Sequence, residues 1–233
     1  IQTLQELVQY IATLPIRIAK FLQECLSNAT KGISDAIAVG KNIASQVQST
    51  INPQLTLAKG EEIGRRFHSA PVVRLSDAKQ MQLGHIAEAD ARWRIYAFAG
   101  KSDTSNPGSA IHKLADWLEK NANSPVVKHT PKGEDIDAVI DFRAVFQQTF
   151  DQLAYENMPS LLKPKTGKLG LQDHEKVFCT DHKGLGDIFD MRGINRDKGC
   201  MIVVRPDQYV AHVLPLDGFE ALSAFFSGVL VSI

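Results

Sequence analysis

At 233 residues the chain suits one large domain or two small ones and is long enough to bury a core. Its 26 Lys and Arg balance 26 Asp and Glu, so no net field draws it to nucleic acid or to an anionic membrane. No apolar run approaches the roughly 18–20 residues that a bilayer span needs. Three cysteines, Cys25, Cys179 and Cys200, make no disulfide framework, and a reducing, cytoplasmic compartment is the expectation. The chain opens on Ile1 rather than Met, as a processed or excerpted polypeptide does.

Residues 1–57 read as a helical segment. Leu4, Leu7, Val8 and Ile11 repeat at helical spacing, as do Ile18, Phe21, Leu22 and Cys25, with Pro15 breaking the two runs. Ala36, Ile37, Ile43, Ala44, Val47 and Ile51 mark a third helix that stops before Pro53. The basic residues beside these apolar faces could suit a membrane surface, but packing against protein is the expected role.

From residue 58 the pattern changes to a mixed α/β one. Ile63 to Ala70 reads as a polar connector, Pro71 to Leu75 as a brief strand and Gln80 to Leu83 as another. Arg92 to Gly100 is the best strand of this region, half-exposed at its start and buried at its end. After a polar loop, Lys101 to Gly108, Ser109 caps a helix whose stripe is Ile111, Leu114, Ala115 and Leu118, with Trp117 alongside. Pro125 is expected to close that region. Ile136 to Phe146 reads as a strand with Ile140, Phe142, Ala144 and Phe146 on one side. Residues 147–198 read as a long connection, with a helix from Phe150 to Met158 and a loop from Lys163 to Gly170.

The last thirty residues carry the clearest signal. Met201 to Val204 is a buried strand, Arg205-Pro206-Asp207-Gln208 a turn, and Tyr209 to Val213 a returning strand. Asp217 and Glu220 suggest a capping box opening a helix over 217–230, whose stripe is Leu222, Phe225, Phe226 and Val229. Strand–helix–strand followed by strand–strand–helix is the order of a thioredoxin-like fold, here spanning 58–233 with an insertion.

Thiol chemistry in such a fold needs a Cys-x-x-Cys where the first strand hands over to the first helix, whose N-terminus lowers the thiol pKa. The loop Gly100 to Gly108 contains no cysteine, and Gly199-Cys200 stands where a cis-proline is usual. Cys179 with His182, His174 and Cys200 offers too few well-spaced ligands for zinc, and a core cysteine is the plainer reading. Gly184-Leu-Gly186 lacks both the third glycine and the leading strand of a dinucleotide fingerprint. Arg65, Arg66 and His68, or Arg92 with Arg94, could meet phosphate, but such clusters are more often solvated or paired with carboxylates. No nucleophile elbow, P-loop or catalytic carboxylate pair is present, so no catalytic, cofactor-binding or metal residue is assigned.

Four separated stretches, Gly64 to Leu75, Gly84-His85, Arg92 to Phe98 and Val203 to Val210, resemble the C-terminal part of the phenol hydroxylase group of flavoprotein aromatic monooxygenases. The resemblance covers roughly residues 55–233. It implies a thioredoxin-like domain without its redox pair, associated with dimer formation, while FAD and NADPH belong to the parent family and their binding motifs lie outside this chain. The reading is a non-catalytic association module, with the C-terminal part of an intact FAD- and NADPH-dependent monooxygenase as the alternative. A homodimer or a flavin-domain partner is expected; nucleic acid and membrane are not. A free-standing protein that docks a partner through its N-terminal helices is a third reading. Phe219, Phe225 and Phe226 are the candidate interface residues, since the last helix carries more apolar surface than a solvent-facing helix needs. Packing on the sheet is the competing expectation for the same side chains.

Overall fold

The computed structural model describes residues 57–181 and 186–231, all within the second of two units, Pro53–Ile233; the helices read over 1–51 lie outside the described residues. A seven-stranded sheet organises this unit, in the order β2-β1-β7-β4-β3-β8-β9. Its strands are β1 (Pro71–Arg74), β2 (Gln80–Gln82), β3 (Trp93–Phe98), β4 (Ile140–Phe146), β7 (Val177–Thr180), β8 (Cys200–Val204) and β9 (Val210–Leu214). Strands β5 (Lys165–Thr166) and β6 (Leu171–Gln172) form a separate small hairpin.

The central strands reproduce the expected order. β3 runs parallel to β4 and antiparallel to β8, and β8 pairs antiparallel with β9. Helix α1 (Ala110–Lys120) makes the β3–β4 crossover, and α4 (Phe219–Val229) follows β9. Both pack on one face: Ile111, Leu114, Leu118, Leu222 and Phe226 join Ile95, Phe142, Ala144 and Phe146 in one core cluster. Ser109 caps α1 as its side chain accepts from His112 N. Phe67, Leu83, Ile188 and Phe189 cover the other face, against Tyr96, Phe98, Val145 and Phe178. This β-α-β, β-β-α arrangement is thioredoxin-like.

Several local expectations change. Pro125 does not close its region; it opens a short helix, α2 (Pro125–His129), where a missing N–H costs nothing at the first turn. The expected helix over Phe150 to Met158 is a series of 3-10 turns, because Thr149 and Gln152 cap the first one reciprocally and Leu153, Met158, Leu161 and Leu162 turn inward at irregular spacing. The loop over Lys163 to Gly170 contains the β5–β6 turn. Within the connection lie a buried strand, β7, and a four-residue helix, α3 (Ile188–Met191), neither of them expected from sequence. β7 lies parallel to β4 and extends the sheet to β1 and β2. Finally, Gly218 and not Asp217 is the N-cap of α4, and no side chain caps it.

Candidate functional site

The place where a thioredoxin-like fold does chemistry is the β3–α1 junction. Here the carboxylate of Asp103 fills it. Its Oδ2 accepts from Ile111 N at 2.9 Å in the first turn of α1, and its Oδ1 accepts from Ser105 N at 2.8 Å. The helix N–H groups and positive dipole end that would stabilise a thiolate are thus already matched by a fixed anion. The loop is also held from behind. Gln147 Nε2 donates to the carbonyls of Ala99 and Arg196, and Arg196 Nη1 returns a bond to Gln147 Oε1.

Gly199 sits against this junction with φ +65°, and a Cβ there would lie 2.1 Å from Phe98 O. Gly100 is equally confined: its Cβ would lie 2.6 Å from Asp197 O. Backbone therefore touches backbone where another fold member would carry a side chain. Cys179 and Cys200 are free thiols buried within strands. Burial pushes the Cys179 thiol up to about 12 and raises that of Cys200 as well, opposite to what a nucleophilic sulfur needs. Cys179 packs in the core, His174 Nδ1 meets the Tyr155 hydroxyl, and His182 and Gly184 lie outside the described residues.

At the opposite end of the same strands lies a buried ion network. Asp141, fully buried on β4, contacts Lys176 Nζ at 2.6 Å, Arg143 Nη2 at 2.8 Å and Arg94 Nε at 3.5 Å. Asp137 contacts Lys176 and Arg92, and Asp90 contacts Arg92 and Arg94. Arg92 and Arg94 therefore form no open basic patch. Burial works to raise the Asp141 carboxyl, but Arg143 and Lys176 hold it down at about 2.

A third buried charge stands apart. Glu61 is almost fully buried, neither of its oxygens has a hydrogen-bond partner, and the nearest cation is Arg192 Nε at 3.5 Å. Burial pushes its carboxyl up to about 7 against the pull of Arg192.

The three interface candidates divide. Phe226 is fully buried, edge-on to Trp93 at 5.4 Å. Phe225 is half-buried among Trp93, His212 and Phe226, and Phe219 is half-buried in a stack on Trp117 at 5.0 Å. Phe225 lines a groove of about 430 Å³ with Ile63, Trp93, Ala211 and Val229. Leu169 and Leu171 project from the β5–β6 hairpin, 83 % and 66 % exposed. Among the described residues no helix is long and apolar enough to cross a membrane, and no group of three or more His, Cys, Asp or Glu could hold a metal ion.

Comparison with known proteins places this arrangement. The chain is 50% identical over 193 residues to 3-hydroxybenzoate 4-monooxygenase of Comamonas testosteroni, covering 82% of this chain and 30% of that protein. It is 32% identical over 197 residues to the FAD-dependent monooxygenase terD of Aspergillus terreus, covering 83% and 31%. The chain thus spans about three tenths of the length of these relatives. A thioredoxin domain of a thiol-disulfide oxidoreductase from Bacteroides vulgatus aligns over 73% of this chain and 99% of that one, at 10% identity and a TM-score of 0.43, too distant to add to the topology. The family described as the phenol hydroxylase, C-terminal dimerisation domain matches residues 35–233, beginning some way upstream of the motifs that carry the resemblance. With its strand order, its cysteine-free β3–α1 junction and this match over most of its length, the chain belongs to the phenol hydroxylase C-terminal dimerisation domain family.

Proposed function

We propose that this chain is the self-association module of a flavin-dependent aromatic monooxygenase and supplies none of its reacting groups. The observation that carries the reading is the family match over a junction whose helix N-terminus is filled by Asp103. The relatives are named as monooxygenases, one as FAD-dependent, which supports FAD as a cofactor of the parent enzyme; NADPH as its reductant is part of the proposal. The described residues do not fit a flavin dinucleotide. Its pyrophosphate needs free N–H groups at a helix start after a parallel strand, and Asp103 both occupies and charges the start of α1. The flavin is therefore assigned to polypeptide outside these residues. A homodimer in the cytoplasm, with residues 1–52 as a separate helical segment, completes the proposal.

The test is to purify the 233-residue chain and, separately, a polypeptide that continues it to the length of its relatives. The longer protein is expected to bind FAD and hydroxylate a phenolic acid with NADPH. The chain alone is expected to be colourless, inactive and self-associated. Stoichiometric flavin on the chain alone would overturn the assignment.

A further inference from the structure

We propose that the groove between segment 66–69, the 3-10 turn Leu83–Ile86 and the turn 205–208 binds a phosphate group carried on a small molecule. The groove measures about 470 Å³, and Arg66, His68, Ser69, Gly84, His85 and Gln208 line it, with no carboxylate among its lining residues. These side chains come from three separated stretches of sequence, which only the fold brings together. The reading does not depend on self-association.

What marks the groove is unmatched charge. Among the described residues every arginine but one has a carboxylate at ion-pair distance. The exception is Arg66, whose Nη2 donates to the neutral Gln208 Oε1 at 2.9 Å. Its neighbour Arg65 is paired with Glu62 at 2.6 Å. The described histidines divide in the same way. His112, His129, His174 and His212 each engage a ring nitrogen in a hydrogen bond. His68 and His85 are both exposed, both line the groove, and have no hydrogen-bond partner among the described residues.

The backbone around these donors is held in place. Phe67 N donates to Gln208 O at 2.7 Å and Leu83 N to Ala70 O at 2.9 Å, which ties both turns to one segment. Gly84 N donates to Ser69 Oγ at 3.2 Å, an approach only glycine permits, since a Cβ there would lie 3.0 Å from Ser69 Cβ. Gln208 holds φ +68°, a conformation that glycine adopts freely and an L side chain resists. Glycine there would relieve the backbone but remove the amide that steers Arg66.

The donor set selects the ligand. A guanidinium fixed through one N–H keeps its remaining donors for an anion. The two imidazoles and the amide nitrogen of Gln208 line the same groove as further donors. A planar carboxylate has two oxygens, which the guanidinium alone can serve; the three terminal oxygens of a phosphate monoester engage guanidinium and imidazoles together. The groove is also larger than a bare phosphate needs, which leaves room for the organic part. Because Arg66, His68 and His85 are exposed, the expected affinity is millimolar and falls with salt.

An NMR titration of the whole chain at constant ionic strength tests the site, with glycerol phosphate, inorganic phosphate and acetate as probes. Glycerol phosphate is expected to move the signals of Arg66, His68, His85 and Gln208 along one saturating curve, and acetate to bind about tenfold more weakly. Inorganic phosphate binding as well as glycerol phosphate would keep the phosphate site and make the free ion its ligand. Arg66→Gln is expected to weaken binding by about tenfold or more, and Arg65→Gln to leave it unchanged. Gln208→Gly is expected to weaken binding without lowering the melting temperature, a combination that a merely structural role would not give. Equal losses from the two arginine changes would reduce the groove to a general positive field and overturn the proposal. So would the absence of a saturable shift with either phosphate, or acetate binding as tightly as glycerol phosphate.

Discussion

The two ends of the parallel strands β3 and β4 make opposite use of buried charge. At the carboxyl end, a single carboxylate, Asp103, meets backbone N–H groups and occupies the position from which a thiolate would act. At the amino end, Asp90, Asp137 and Asp141 meet Arg92, Arg94, Arg143 and Lys176 in a largely buried network. The difference teaches that a fold can keep the geometry of a reactive junction while its electrostatics make it inert. The charges with the greatest structural consequence lie at the end where the fold's usual chemistry does not occur.

Breaking the network should have the largest effect. Asp141→Asn leaves Lys176 and Arg143 buried without their shared anion and should cost roughly 3–5 kcal/mol in urea unfolding. Because the Asp141 carboxyl is held at about 2, its stabilising share is present above the ordinary carboxylate range and is lost as pH falls toward 2. The variant should therefore show a weaker loss of stability in acid than the wild type.

At the silent end the backbone is the critical part. Gly199→Ala places a Cβ against Phe98 O and adds a side chain at φ +65°, so a loss of roughly 3 kcal/mol is expected in the same assay. Glu61→Gln should act in the opposite sense. The folded carboxyl sits near 7 against an ordinary 4.5, so the wild type loses stability as pH rises between those values. Above pH 7 the glutamine variant should be more stable by about 3 kcal/mol, and near pH 4.5 the two should melt alike. Equal melting at pH 8 would show that Glu61 is relieved by a contact of its own. Asp103→Ala removes the acceptor for two N–H groups and should cost about 1–2 kcal/mol without creating any activity.

The sequence was most legible where a segment's own pattern decided its structure. The apolar runs of β3 and β8 and the Ser109-capped stripe of α1 stand as read. β7 was hidden because four residues, Val-Phe-Cys-Thr, follow Lys176, which resembles a surface lysine until β4 supplies Asp141 beneath it. The 150–158 stretch misled because its apolar residues fit a helical count, whereas the Thr149–Gln152 cap closes a tighter turn. Asp217 and Glu220 matched a capping pattern, but the chain enters α4 through Gly218, whose N–H donates to Pro215 O and where a Cβ would lie 3.0 Å from that oxygen. Some pairs of the ion network are local, such as Asp90 with Arg92 and Asp141 with Arg143. The contacts that join them into one network, such as Lys176 with Asp137 and Asp141, link residues 35 or more positions apart, and no local spacing announces those. Asp103 was findable: an aspartate shortly before a helix start is a standard acceptor for its N–H groups.

Sedimentation equilibrium of the unmodified 233-residue chain, with an absorbance scan for flavin, tests the central claim most directly. The account predicts a reversible dimer with no flavin band. A monomer at all concentrations carrying one flavin per chain would contradict it.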